Sequence, residues 1–162
     1  MSTISVVKRD GQKEPFDANK INLALVKASE GLEDQISKVV EVASQLQLTL
    51  FDGITSEQLD EAVIQTALQN VKDDPDYDKI AARLLLKTLY KNILGDYDSA
   101  EELKKLHEKH FIAYVKDAVK DGLLDKRLVD GRLDLPKLAK ALDPTKDDLS
   151  KFLGVITNKN RY

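Results

Sequence analysis

The first twenty residues constrain the fold more than any other stretch. Ile4 to Lys8 alternates apolar and polar residues, which predicts a strand with Ile4 and Val6 on one face. Asp10-Gly11 is a hairpin-turn pair, because glycine adopts without strain the positive φ that such turns need. A short return strand follows, and Pro15 limits it to an edge or an end of the sheet. Asp17 then caps a helix whose first turn holds Lys20. A cation there works against helix stability, since the macrodipole favours anions in the first turn. With Lys8 and Arg9 on the neighbouring strand, Lys20 makes three cations near one helix N-terminus, an arrangement that would receive a polyphosphate.

Composition bounds what can surround that opening. A chain of 162 residues, 42% of them apolar, can bury a core as one domain or one domain with an appendage. Its 25 basic and 28 acidic side chains leave a net charge of -3, so no global basic field marks it as a general nucleic-acid binder. It has no cysteine, hence no disulfide, thiolate zinc site, thiol nucleophile or thiyl radical. No stretch reaches the length of a membrane span, and the N-terminus lacks a signal-peptide apolar core. A soluble, cytoplasmic protein without nucleic-acid or membrane partners is expected.

After the hairpin the pattern is mostly helical. Ile21, Ala24, Leu25 and Ala28 share one face of a first helix ended by Gly31. Ile36, Val39, Val40, Ala43 and Leu46 are the expected inner face of a second. Phe51-Asp52-Gly53-Ile54 reads as a turn into a short third strand, and Thr55 to Gln58 opens a third helix with a capping box. That helix would turn Leu59, Ala62, Val63, Thr66 and Ala67 inward. Asp74-Pro75 starts a fourth helix, with Tyr77, Ile80, Ala81, Leu84, Leu85, Thr88 and Leu89 as its apolar stripe and Gly95 as its C-terminal cap. These four helices and a small sheet form the first expected domain, residues 1–95.

Residues 96–162 are the second expected domain, a helical segment. Ser99 opens a charged helix reaching about Lys120, whose inner face would be Leu103, Leu106, His107, Phe111, Tyr114, Val115 and Ala118. Short helices are expected at Leu135 to Leu142 and Lys146 to Phe152. Gly154 to Tyr162 begins like a strand and stops, which reads as part of something longer.

The order strand, Lys8-Arg9-Asp10-Gly11, strand, Glu14-Pro15-Phe16-Asp17, Asn19-Lys20-Ile21, helix resembles the ATP-cone, a regulatory nucleotide-binding domain. Phe51 to Ile54, the helix led by Ser56, Asp74-Pro75-Asp76-Tyr77 and Ala81-Ala82-Arg83-Leu84 resemble the N-terminal region of ribonucleotide reductase large subunits. Tyr114 to Leu128 and Leu142 to Tyr162 are similar to the segment joining the cone to the catalytic barrel. The implied fold is mainly α with a small β cap: a four-helix bundle covered by a short three-stranded sheet, then a helical linker region.

The resemblance also implies roles. Lys8, Arg9 and Lys91 would hold nucleotide phosphates, helped by Ser56 at its helix start. Glu14, Asp17 and Lys20 would face adenine, which moves Lys20 from the phosphate role its position alone suggests, and Ile21 would pack on the base. Asp60 stands near the sugar, where some family members carry histidine, and a carboxylate lacks the imidazole's shape and donor. The implied ligands are ATP as activator and dATP as inhibitor, with Mg²⁺ carried by the triphosphate and no metal held by the protein. The implied partners are the rest of the large subunit, the small radical-generating subunit, or another large subunit in an inhibited oligomer. Reduction in this family needs barrel cysteines, so no catalytic residue is expected here and this chain is not itself an enzyme.

Plainer readings stand beside these. Lys8 to Gly11 alone would be a solvated hairpin, Asp17 only an N-cap, Ser56 only a helix start and Lys91 a surface lysine. Arg83 reads as half of a structural ion pair. His107 and His110 lack further metal ligands nearby in sequence, so a packed His107 and an exposed His110 are expected. Three rival functions remain. One is a degenerate cone that serves as a structural or subunit-contact module. The second, a cone-bearing transcriptional repressor, would need a cysteine-rich zinc ribbon. The third, a nucleotide hydrolase, would need a phosphate loop that the chain lacks.

Overall fold

A computed structural model describes residues 4–97 and 99–161; Tyr162, the last residue of the tail motif, lies outside them. The chain divides into two compact units, Met1–Leu89 with Asp148–Tyr162, and Tyr90–Asp147.

The first unit opens with β1 (Ser5–Val7) and β2 (Lys13–Pro15), paired antiparallel with Val6 opposite Glu14. The turn between them has three residues, Arg9-Asp10-Gly11. The Lys8 N–H reaches the Gln12 carbonyl at 2.8 Å, and Gly11 takes φ +83°. Asp10 steadies it by accepting from the Gln12 N–H at 3.0 Å. The expected third strand is present as β3 (Ile54–Thr55), parallel to β1, so the sheet order is β2-β1-β3 and Pro15 ends an edge strand.

Three helices follow local signals in the sequence. Asp17 caps α1 (Ala18–Ala28) by accepting from the Asn19 N–H at 2.9 Å. The helix α2 (Gln35–Gln47) comes next, and α3 (Ser56–Gln69) starts with a complete capping box between Thr55 and Gln58. Asp74 accepts from the Asp76 N–H at the start of α4 (Asp76–Leu94), which runs past Leu89 into the second unit. Leu25, Val42, Leu46, Ile54 and Ile80 form the centre of the core, with Val6 reaching it from the sheet. Each fully buried aliphatic side chain of this kind contributes about 1.5–3 kcal/mol.

One expectation for this unit holds only in part and another fails. On α2, Leu46 is buried and Val39 and Ala43 pack against the core as expected, but Ile36 and Val40 are 81% and 58% exposed, and Lys38 and Val42 are buried instead. The Lys38 ammonium pairs with Asp74 at 2.7 Å and donates to the Glu33 carbonyl at 2.6 Å. Hydropathy assigns no lysine to a core face, so the apolar pattern drew the face too far towards Ile36 and Val40. The tail from Gly154 is not a strand: Phe152–Arg161 forms a helix, called α7 below, whose Val155 is buried in this core beside Phe152 and Ile156. That i, i+3, i+4 spacing is helical, although Val155-Ile156-Thr157 has strand-like composition. Arg83 is structural, as expected, but its partners are backbone carbonyls of Ala28 (2.9 Å) and Glu30 (2.8 Å) at the end of α1, not a carboxylate.

The second unit contains α5 (Ala100–Lys120), capped by Ser99, and α6 (Leu135–Ala141), with 3₁₀ turns at Lys126–Leu128 and Pro144–Leu149. Leu103, Val115, Ala118, Leu135 and Ala139 are buried within it. Tyr114, expected inside, is exposed. The helix expected at Lys146 to Phe152 is replaced by the second 3₁₀ turn, and Phe152 instead begins α7. Gly95 ends α4 at φ +91° with its N–H on the Lys91 carbonyl.

Candidate functional site

The sheet and α1 bring three of the predicted residues together. Lys8 lies just beyond β1, Glu14 sits in β2 and Lys20 lies in the first turn of α1. The Glu14 carboxylate holds both lysines, Lys8 at 2.8 Å through Oε2 and Lys20 at 3.1 Å through Oε1. The lysine side chains are 45% and 62% exposed and that of Glu14 only 31%, so both cations gather round a half-buried anion. The Lys8 hydrogen bond, followed by that of Lys20, holds the Glu14 carboxyl below the usual carboxylate range. Arg9 is exposed in the adjoining turn.

The β1–β3 register pairs Val7 with Thr55, the residues that precede Lys8 and Ser56 in the chain. Thr55, not Ser56, is the cap of α3; Ser56 is the first helical residue and is half-buried. Asp60 follows one turn later and is also half-buried. Asp17 uses one carboxylate oxygen for the helix cap.

Sequence reasoning missed the side chain that ties this register down. The Asp52 Oδ1 accepts from the Ser5 N–H at 2.8 Å and from the Ser5 hydroxyl at 2.6 Å, while the Gly53 N–H returns to the Ser5 carbonyl at 3.0 Å. These Ser5 bonds, side chain before backbone, hold the Asp52 carboxyl below its ordinary value. The signal was visible as Asp52-Gly53, but it reads locally as a turn.

Ile21 does not join the charge cluster. Ile21 is half-buried and, with Phe16, Val39, Ala43 and Leu50, lines an apolar groove of about 290 Å³ between α1 and α2. Ala18 and Asn22 also line it, on a flank of α1 other than the one that carries Lys20. Lys91 belongs to the second unit, where it pairs with Asp96 at 2.9 Å.

No group of three or more His, Cys, Asp or Glu side chains among the described residues could hold a metal ion. His107 is half-buried with its ring stacked on Phe111, at a centroid distance of 6.4 Å, and His110 is exposed. No helix among the described residues is long and apolar enough to cross a membrane.

Together these features define a class, a helical domain capped by a small mixed sheet with paired cations where strand meets helix. Residues 4–92 match the ATP cone domain, and the chain belongs to that family. It is 32% identical over 160 residues to the ribonucleoside-diphosphate reductase subunit alpha of Helicobacter pylori, covering 98% of this chain and 19% of that protein. It is 26% identical over 159 residues to the corresponding subunit of Chlamydia trachomatis, covering 98% and 15%. The large subunit of the Arabidopsis thaliana enzyme is 39% identical over 87 residues, covering 54% and 11%. The chain therefore spans about a fifth or less of the length of these curated relatives.

Proposed function

We propose that this chain is the allosteric nucleotide-sensing domain of a ribonucleoside-diphosphate reductase large subunit and binds ATP and dATP. The observation that carries the reading is the Lys8–Glu14–Lys20 cluster, built where β1, β2 and the N-terminus of α1 converge. A cation beside a helix N-terminus neutralises phosphate with help from the helix's own N–H groups, and the neighbouring carboxylate and second lysine offer an acceptor and a donor to a base. In this reading Lys8, Arg9 and Ser56 hold the phosphates. Glu14, Asp17 and Lys20 face the adenine, Ile21 packs on the base, and Asp60 stands near the sugar. Mg²⁺ enters on the triphosphate oxygens, and no protein ligands to the metal are assigned.

ATP and dATP compete for the site. ATP permits activity, and dATP shifts the parent subunit, with its small subunit or a second large subunit, towards an inactive oligomer. The effectors differ by one 2′-hydroxyl, so dATP inhibits only if it binds the inactive assembly better than the active one. Calorimetric titration with ATP and dATP in Mg²⁺, with particle size followed by light scattering, tests the reading. Saturable heat with both nucleotides is expected. No heat from a sample shown to be folded would overturn it and leave a structural or subunit-contact role.

A further inference from the structure

Glu14 stands between the two halves of the proposed ligand. One oxygen takes the ammonium of Lys8, from the phosphate set, and the other takes that of Lys20, from the adenine set. The β1–β2 register fixes the Glu14 backbone, the middle residue of β2, opposite buried Val6. The two lysines reach it on long side chains from different elements. Glu14 thus fills, with part of the protein itself, a place where a phosphate would meet both cations.

We infer that Glu14 is a specificity-determining residue, the resident counter-anion of Lys8 and Lys20, which makes the site reject a polyphosphate that carries no base. The inference rests on the nucleotide-binding reading above. A bare polyphosphate must draw Lys8 from Glu14 and then sit beside a carboxylate left with Lys20 as its one ammonium partner. A nucleotide whose base carries an exocyclic amino group makes an exchange: its phosphates take Lys8, and the amino group gives Glu14 a replacement donor. Selectivity then comes from a penalty on the wrong ligand as well as from contacts with the right one. Because exposed ion pairs are individually weak, the penalty amounts to a factor of about 2–5 in affinity.

The test is titration of the wild-type chain, Glu14→Gln and Glu101→Gln with ATP and with inorganic tripolyphosphate, all in Mg²⁺ at one ionic strength. Glu101 lies in the second unit on α5, and its replacement changes net charge by the same amount. Wild type is expected to bind ATP much more tightly than tripolyphosphate. Glu14→Gln should bind tripolyphosphate about 2–5-fold more tightly and ATP no more tightly, so the preference contracts. Glu101→Gln should match wild type. Glu14→Thr, neutral and strand-favouring, should repeat the Gln result if that variant folds poorly. An unchanged tripolyphosphate affinity in both neutral Glu14 variants, with wild type still binding ATP, would overturn the inference, as would an equal gain in Glu101→Gln. Wild type that binds neither ATP nor dATP would overturn the functional reading itself, and a site without nucleotide has no selectivity for Glu14 to set.

Discussion

Two lysine–carboxylate clusters sit in the first unit, and they are built in opposite senses. In one, a buried lysine lies between two carboxylates, the second of which also holds the exposed Lys79 at 3.0 Å. Lys38 lies 2.7 Å from Asp74 and 3.9 Å from Asp76, with a side chain only 5% exposed. In the other, a single carboxylate, Glu14, serves the two exposed lysines Lys8 and Lys20. A buried ammonium has lost its water and depends on its fixed partners, so it cannot be handed to a ligand. An exposed ammonium keeps much of its hydration and can change partners at small cost. The same pair of residue types therefore locks α2 to the start of α4 in one place and leaves cations exchangeable in the other.

Replacing Lys38 is the harshest test of that contrast. Lys38→Ala removes the donor from Asp74 and from the Glu33 carbonyl, and should lower the unfolding free energy by about 3 kcal/mol in urea titrations. A loss under about 1 kcal/mol would show that the two clusters are energetically alike. Lys8→Ala should do the reverse. ATP affinity should fall about tenfold or more, as expected for a charge-assisted contact, while unfolding changes by less than about 0.5 kcal/mol.

Asp52 sharpens the comparison from the backbone side, because it holds β3 against the strand that leads to Lys8. Asp52→Ala should weaken ATP binding several-fold and lower the melting temperature. Asp52→Asn should restore both, since an amide oxygen also accepts from the Ser5 N–H. Failure of the Asn rescue would mean that charge, and not the clamp, is what Asp52 supplies.

The smallest effect is in pH. Asp74, with Lys38 as the leading cause, and Glu14, with Lys8 as the leading cause, titrate below the ordinary carboxylate range. Their stabilisation is present above the unfolded carboxylate values, about 4, and is lost as pH falls through the lower folded values. Lys38 is raised, chiefly by its hydrogen bond to Asp74, so its share is present below the unfolded lysine value, about 10.4, and is lost as pH rises through the higher folded value. The urea midpoint should therefore stay level between those limits and fall in acid, with a shallower acid fall in Lys38→Ala.

Much of the first unit was legible because its signals are local. Gly11, Asp17, Thr55 with Gln58, and Asp74 with Pro75 each act within a few residues of the element they start or end. On α2 and α7 the pattern misled, since Ile36 and Val40 are apolar yet exposed, and Val155-Ile156-Thr157 favours a strand in composition but packs as a helix. At the site, Lys8, Glu14 and Lys20 were each nameable from sequence. That Lys8 and Lys20 lie near one helix N-terminus was legible too, but not that Glu14 bridges them, because ion pairing between side chains is set by packing.

What the amino-acid order determined by itself is the succession of hairpin, capped helices and short third strand, together with the residues that carry charge beside them. Turn geometry and helix capping are specified by neighbours in the chain, although packing is what makes the elements stable. Tertiary structure alone decided that Lys38 belongs inside, that Val155 joins the first unit's core and that Glu14 occupies the space between two lysines. Burial and ion pairing depend on groups brought close by packing, and for Lys38 and Val155 those groups lie tens of positions away in the sequence.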